Sequence, residues 1–447
     1  MSNGEDRLNL LTDLTAKAQA AGADTADAVF VEGISLSHAH RLGKPEHVER
    51  SEGADIGLRV FVGQRQAIVS SSDMSSGALA ELVERAVAMA KLVPEDPYCG
   101  LADAAQLARD FPDLDMCDPY EPSAEDLIDR AARAEDAARA VPGVTNSEGA
   151  EAGWSRHTLA MAATNGFART YSGTGHSVSA SVLAGEGTAM ERDYDYSSAV
   201  FAEDLEAPET IGRSAGEKAV KRLNPRKVET AQVPIVYDPR VARGIVGHLS
   251  SAINGASVAR GTSFLKDMMD KRIFPEHVVI VDDPLRKRGL RSRPFDGEGV
   301  ATARRNIIDR GVLKTWILDL SSARQLGLAT TGHASRGTSS PPSPSASNLY
   351  MEPGPLSPDE LIADIKSGFY VTEMIGFGIN AVTGDYSRGA GGFWIENGKL
   401  TYPVNEVTVA GNLKDMFLNL TPANDLTFRY GTDAPTLRIE GMTVAGQ

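Results

Sequence analysis

Apolar residues recur at helical spacing near the start of the chain, at Leu11, Leu14, Ala18 and Ala21, and then give way to alternation. Residues 27 to 72 read as short β runs punctuated by glycines. Leu79, Leu82, Val83, Ala86, Met89 and Ala90 form the apolar face of a second helix that Pro94 ends. The order then repeats. Ser123 and Asp126 have capping-box spacing before an Ala-rich helix that stops at Pro142-Gly143, and a meander with an Asn165-Gly166 turn follows. Ile211, Ala215, Ala219 and Leu223 mark a closing helix.

Asn224-Pro225-Arg226-Lys227 breaks that helix and reads as a linker. We therefore expect an N-terminal α+β unit over 1–118, a second α+β unit over 119–226 and a β-rich domain over 227–447. The last begins with a strand from Val233 to Tyr237 and a helix with Asp238 as N-cap and Pro239 at its first position. Gly337 to Pro358 is dominated by Ser and Pro without periodicity, which predicts a flexible surface loop, lining an opening, covering a cavity or idle. Phe393-Trp394-Ile395 and Leu400-Thr401-Tyr402 flank an Asn397-Gly398 hairpin turn. The fold class is α+β: two helix-flanked antiparallel sheets, then a barrel- or sandwich-like C-terminal domain.

With 42% apolar and 23% charged residues, the 447-residue chain has the composition of a globular protein with a sizeable core. No apolar run approaches the ~18 residues of a membrane helix. The start, Met1-Ser2-Asn3-Gly4-Glu5-Asp6, lacks the regions of a signal peptide. Two cysteines, Cys99 and Cys117, suit a reducing compartment, so a cytoplasmic location is expected. Sixty acidic against 45 basic side chains give a net charge of −15, which repels nucleic acid and anionic lipid. The basic run Arg286-Lys287-Arg288, with Arg291, Arg293, Arg304 and Arg305, has no interleaved aromatics for stacking bases and reads as a solvated surface.

Several long strings carry more specific information. They are Ser51-Glu52-Gly53-Ala54-Asp55, Met190-Glu191-Arg192-Asp193-Tyr194, Pro294-Phe295-Asp296-Gly297-Glu298-Gly299-Val300, Ser322-Ala323-Arg324-Gln325-Leu326-Gly327-Leu328, Gly384-Asp385-Tyr386-Ser387-Arg388-Gly389-Ala390-Gly391-Gly392 and Ala410-Gly411-Asn412-Leu413-Lys414-Asp415-Met416. In this order and at these separations the chain resembles the TldD/PmbA family, and within it the PmbA (TldE) branch. Resemblance to the TldD branch would imply zinc-dependent proteolysis. That branch uses a His-Glu-x-x-x-His helix plus a Cys ligand near the C-terminus, so that zinc binds and activates water.

At the matching helix this chain reads Arg243-Gly244-Ile245-Val246-Gly247-His248, so only His248 falls on a family metal position. Arg243 cannot ligate zinc, Gly244 has no proton acceptor, and no cysteine lies in the C-terminal half. His248 also belongs to the apolar stripe of Val241, Ile245, Leu249 and Ala252, as a core histidine would. His38 and His40 share a strand face and could offer a weak surface metal site. Gly212-Arg213-Ser214-Ala215-Gly216 matches a nucleophile-elbow pattern but lies within a helical period. No phosphate-binding or dinucleotide fingerprint follows a strand.

What remains is a surface able to hold polypeptide. Phe295, Asp296, Glu298, Asp385, Tyr386, Arg388 and Gly389 are the candidates for peptide or partner contact, and the glycine-rich 384–392 segment is a candidate for β-strand addition. The resemblance implies a subunit without its own zinc, paired with a TldD-like subunit that carries the metal, around a chamber that admits unfolded peptides. A homodimer is the other assembly. Two further readings stay open: an independent metallopeptidase using His248 and distant acids, and a non-enzymatic regulator, as the family's link to DNA gyrase control implies.

Overall fold

Strands β1 (Thr25–Arg41), β2 (Lys44–Val62) and β3 (Arg65–Ser71) form one meander, and β4 (Val144–Ala163), β5 (Ala168–Ala184) and β6 (Glu191–Ala199) form another. In the computed structural model, which describes residues 4–446, β1 pairs with β4 from Asp27↔Ala163 to His40↔Ala150. The meanders expected as two sheets are thus one antiparallel sheet, in the order β3-β2-β1-β4-β5-β6. Pairing β1 with β4 removes two long edges whose ladder groups would otherwise lack partners. Residues 1–3, on which part of the signal-peptide expectation rests, lie outside the described residues.

Helices α1 (Gly4–Ala20), α2 (Ser76–Leu92), α3 (Ala124–Arg139) and α4 (Pro208–Lys221) cover one face of this sheet. Even-numbered strand residues meet them: Ala26, Ala28, Phe30, Ala160 and Ala162 pack with α1 and α2, while Leu36, Ala152 and Trp154 pack with α3. The local signals work as expected. Ser75 accepts from the Ala78 N–H to start α2, and Ser123 with Asp126 closes a full capping box on α3. Ser214 lies inside α4 and donates to Asp195 at 2.5 Å, so the Gly-x-Ser-x-Gly string is no nucleophile elbow.

The opposite sheet face lies against the C-terminal half. Phe295 packs between Phe167 and Tyr171, with ring centroids 5.0 and 5.2 Å away. Buried Asp27 receives both Arg59 from the neighbouring strand and Arg336 from the C-terminal half. Gly57 is required here because a Cβ would stand 2.1 Å from the Thr338 carbonyl oxygen.

The C-terminal half supplies β7 (Ala231–Tyr237), helix α5 (Pro239–Ala252), and short strands β8 (Ile280–Asp282), β9 (Arg305–Asp309), β10 (Val312–Leu313), β11 (Ala334–Ser335), β12 (Ser343–Pro344) and β13 (Leu349–Met351). Then come β14 (Ser367–Ile375), β15 (Asp385–Glu396), β16 (Lys399–Asn412), β17 (Leu420–Pro422), β18 (Thr432–Asp433) and β19 (Leu437–Ala445). Strands β16-β15-β14-β7-β19 close into a five-stranded barrel through the β16–β19 pairing. This meets the barrel-like expectation for the β-rich domain. Asn397 and Gly398, with φ of 48° and 74°, make the tight turn between β15 and β16.

Two expectations are corrected. The 337–358 segment is not a surface loop throughout: it holds β12 and β13, and Ala346, Ser347, Asn348, Leu349 and Met351 are buried. The Ser347 N–H and hydroxyl both donate to the buried Asp282 carboxylate. Pro341–Pro344 line one cavity and Asn348 another. The glycine-rich strand β15 is paired with β14 on one edge and β16 on the other, so its core offers no free edge for an added strand.

Candidate functional site

A cavity of about 540 Å³ opens between β6 at the edge of the N-terminal sheet and α5 beside the barrel. That volume is within the ~300–1,000 Å³ of ligand sites. Asp238 caps α5 by accepting the Arg240 N–H at 3.1 Å, and Pro239 occupies its first turn. The helix buries Ala242, Ile245, Val246 and Leu249. One helical face therefore remains for the cavity, and it carries Arg240, Arg243, Gly244 and Gly247. A Cβ at either glycine would meet nothing within 4 Å.

Five guanidinium groups line this cavity, from Arg192, Arg222, Arg240, Arg243 and Arg388, against two carboxylates, Asp193 and Glu373. Asp193 is nearly fully buried and bonds Arg240 twice, at 2.6 and 3.1 Å. Burial pushes its carboxyl up, but hydrogen bonds and charge from Arg240, with the charge of Arg222, outweigh this and hold it below the usual range. Arg222 also pairs with Glu373 and Glu191. Tyr194 lies beneath the Arg240 and Arg192 guanidiniums, 5.4 and 5.8 Å from its ring centroid.

The outer edge of β6 is closed by side chains. The Tyr194 N–H donates to Asp193 and the Tyr196 N–H to Asp195, each at 2.8 Å. The Tyr194 carbonyl accepts from Arg240 at 3.5 Å and the Tyr196 carbonyl from Arg429 at 2.5 Å. A ligand approaching this edge therefore meets guanidinium and phenol groups before it meets backbone.

The donors around α5 do not fit zinc. Arg243 and Gly244 supply no ligand, and among the described residues no group of three or more His, Cys, Asp or Glu side chains could hold a metal ion. His248 is half-buried, its ring edge-on to Tyr386 at 5.9 Å. Burial, then the Arg388 charge, lowers its pKa to about 4, so it is neutral near pH 7.

Family models match the chain in three stretches: domain 1 of the PmbA/TldA metallopeptidases at residues 26–90, the central domain at 117–223 and the C-terminal domain at 230–446. The chain is 39% identical over 427 residues to the metalloprotease PmbA of Escherichia coli O157:H7, covering 95% of this chain and 93% of that protein. It belongs to the PmbA/TldD metallopeptidase family. A crystal structure from Bacteroides thetaiotaomicron, described as a candidate modulator of DNA gyrase, is 28% identical with a TM-score of 0.91, covering both chains completely. TldE from Thermococcus kodakarensis has the same fold, with a TM-score of 0.88 at 20% identity over 98% of this chain and 100% of that one.

The strings that carry the PmbA/TldD resemblance divide between site and scaffold. Arg388, like Arg243 and Gly244, lines the cavity, while Tyr386 is buried against His248. Asp385 is exposed and tied to Thr383 and Asn412, and Gly389 sits within the β14–β15 pairing.

Phe295, Asp296 and Glu298 are 2%, 1% and 5% exposed; Phe295 and Asp296 stand at the wall of one smaller cavity and Glu298 at that of another. Asp296 accepts the N–H groups of Glu298, Val300 and Ala334, and Glu298 accepts that of Leu320. Burial pushes the Glu298 carboxyl up to about 8, with Asp296 beside it adding to the effect of burial against the opposing Arg59 charge.

His38 and His40 are buried on β1, 0% and 7% exposed, which corrects the surface metal site. The basic run is largely tied inward. Arg288 pairs with Asp115, Glu203 and Asp204, and Arg293 donates to the Ala334 and Ser345 carbonyls. Among the described residues no helix is long and apolar enough to cross a membrane.

Arg192, Asp193, Arg222, Arg240 and Glu373 went unrecognised as site residues. Met190-Glu191-Arg192-Asp193-Tyr194 was the one signal, a family string whose role only the fold reveals.

Proposed function

We propose that this chain is the PmbA-type, or TldE-type, subunit of a two-component cytoplasmic peptidase. It walls part of a chamber that admits unfolded peptide, carries no zinc of its own, and leaves cleavage to a TldD-type subunit that holds the metal. The observation that carries this reading is α5. At the helix matched to the family's metal site, Arg243, Gly244 and Gly247 face the cavity of about 540 Å³, so the space for substrate is kept while the chemistry to cut it is missing. The two cysteines, both free, agree with a reducing compartment.

Peptide hydrolysis by each purified subunit alone and by the mixture tests the proposal. We expect no cleavage by this chain and a rate for the mixture well above that of the TldD-type subunit alone. Cleavage by this chain in isolation, abolished by a chelator, would instead establish an independent metallopeptidase.

A further inference from the structure

Two of the five cavity guanidiniums reach no carboxylate among the described residues. Arg222 and Arg240 share Asp193, and Arg192 lies within 4.0 Å of Glu148 and Glu373. Arg243, by contrast, is held only through Nε, which donates to the Arg240 carbonyl at 3.1 Å, and by lying 4.4 Å from the Tyr430 ring centroid. Its terminal nitrogens meet no acceptor among the described residues. Arg388 stands on β15 across from α5; its side chain hydrogen-bonds Tyr386, while its Nε is buried with no hydrogen-bond partner.

A guanidinium without a counter-charge at the wall of a half-enclosed cavity is expensive to keep, because its charge is partly desolvated without full compensation. Here the cost falls on two groups facing the same space, in a chain whose net charge is −15. The planar guanidinium fork matches a carboxylate with two parallel hydrogen bonds. Tyr430 beside Arg243 has its hydroxyl pushed up to about 12 by burial, so it stays protonated and able to donate. The closed β6 edge leaves these groups as what the cavity offers a ligand.

We propose that Arg243 and Arg388 form a carboxylate-recognition site for the peptide in the chamber, taking its terminal α-carboxylate. This rests on the chamber reading above. The site fixes the direction in which the chain enters, since only one end of a peptide carries that group.

The test uses the assembled pair with its TldD-type subunit and an unstructured peptide without acidic side chains, as free acid and as C-terminal amide. We expect KM for the amide to be roughly tenfold higher, the scale of a charge-assisted hydrogen bond, with kcat unchanged. In R243Q, R388Q and the double variant, KM for the free acid should rise to that of the amide. Thermal melting and pair formation by gel filtration identify any variant that misfolds.

Equal KM for acid and amide in the unaltered pair, or discrimination that survives in the folded double variant, overturns the site while the pair still cleaves. A mixture no faster than the TldD-type subunit alone overturns the chamber reading and the site together. Amidated peptides with an internal Glu or Gln separate the sources. An Arg-dependent preference for Glu supports the same site acting on acidic side chains.

Discussion

The Asp193 carboxylate and the Arg240 guanidinium join the N-terminal sheet to the barrel helix through two hydrogen bonds of 2.6 and 3.1 Å, with side chains only 2% and 12% exposed. Arg222 shares the same carboxylate at 3.4 Å. One buried acid thus bridges two cations at the wall of the cavity.

Asp193→Asn should cost about 2–4 kcal/mol, because it leaves the largely buried Arg240 without its counter-charge and Arg222 with only Glu191 and Glu373. Urea unfolding followed by circular dichroism measures this. The pH dependence has a definite sign. A carboxyl held below its unfolded value stabilises the fold above that value, and the contribution is lost as pH falls through the folded one. The variant should therefore lose stability at neutral pH and show a shallower acid limb.

Gly212 and Gly244 make opposite predictions. At Gly212 an added Cβ would lie 1.9 Å from the Ala134 carbonyl oxygen, where α4 packs on α3, whereas at Gly244 it would meet nothing within 4 Å. Gly212→Ala should destabilise by about 3 kcal/mol or more, outweighing alanine's helical advantage. Gly244→Ala should stabilise by roughly 0.5–1 kcal/mol, since only propensity changes. Thermal midpoints of the two variants provide the comparison.

His248 should titrate near pH 4 in nuclear magnetic resonance spectra. Burial is the larger cause and the Arg388 charge the second, so R388Q should raise the value without restoring the ordinary one. Because the unfolded chain protonates this imidazole first, stability should fall as pH drops from about 6.5 towards 4. A value in R388Q equal to that of the unaltered protein would separate Arg388 from the cavity's field.

The helices were legible because their signals are local: capping residues at Ser123 and Asp238, Pro94 as a stop, and apolar stripes that, apart from the exposed Ala21 and Met89, the fold largely buries. The β1–β4 pairing was not, since alternation gives a strand's buried face and leaves its neighbour open. Strands of two or three residues, such as β12 and β13, carry no period, so Ser and Pro dominated the reading of 337–358. The cavity escaped for a related reason. Its guanidiniums come from β6, the end of α4, α5 and β15, and no sequence window contains them together.

Glu298→Gln should make stability less dependent on pH between about 5 and 8. The buried acid is raised to about 8, so it is neutral in the fold while the unfolded chain ionises. That contribution is present below the unfolded value and fades as pH rises through the folded one. Chemical denaturation at pH 5.5 and pH 8 checks it: the variant should gain relative to the unaltered protein at the higher pH.

Zinc content, measured by elemental analysis on this chain purified alone without chelator or a metal-binding tag, tests the central claim most directly. The account predicts less than about a tenth of a zinc ion per chain, because α5 presents Arg243 and Gly244 where ligand and base would stand. About one zinc per chain would contradict it and place the catalytic metal in this polypeptide.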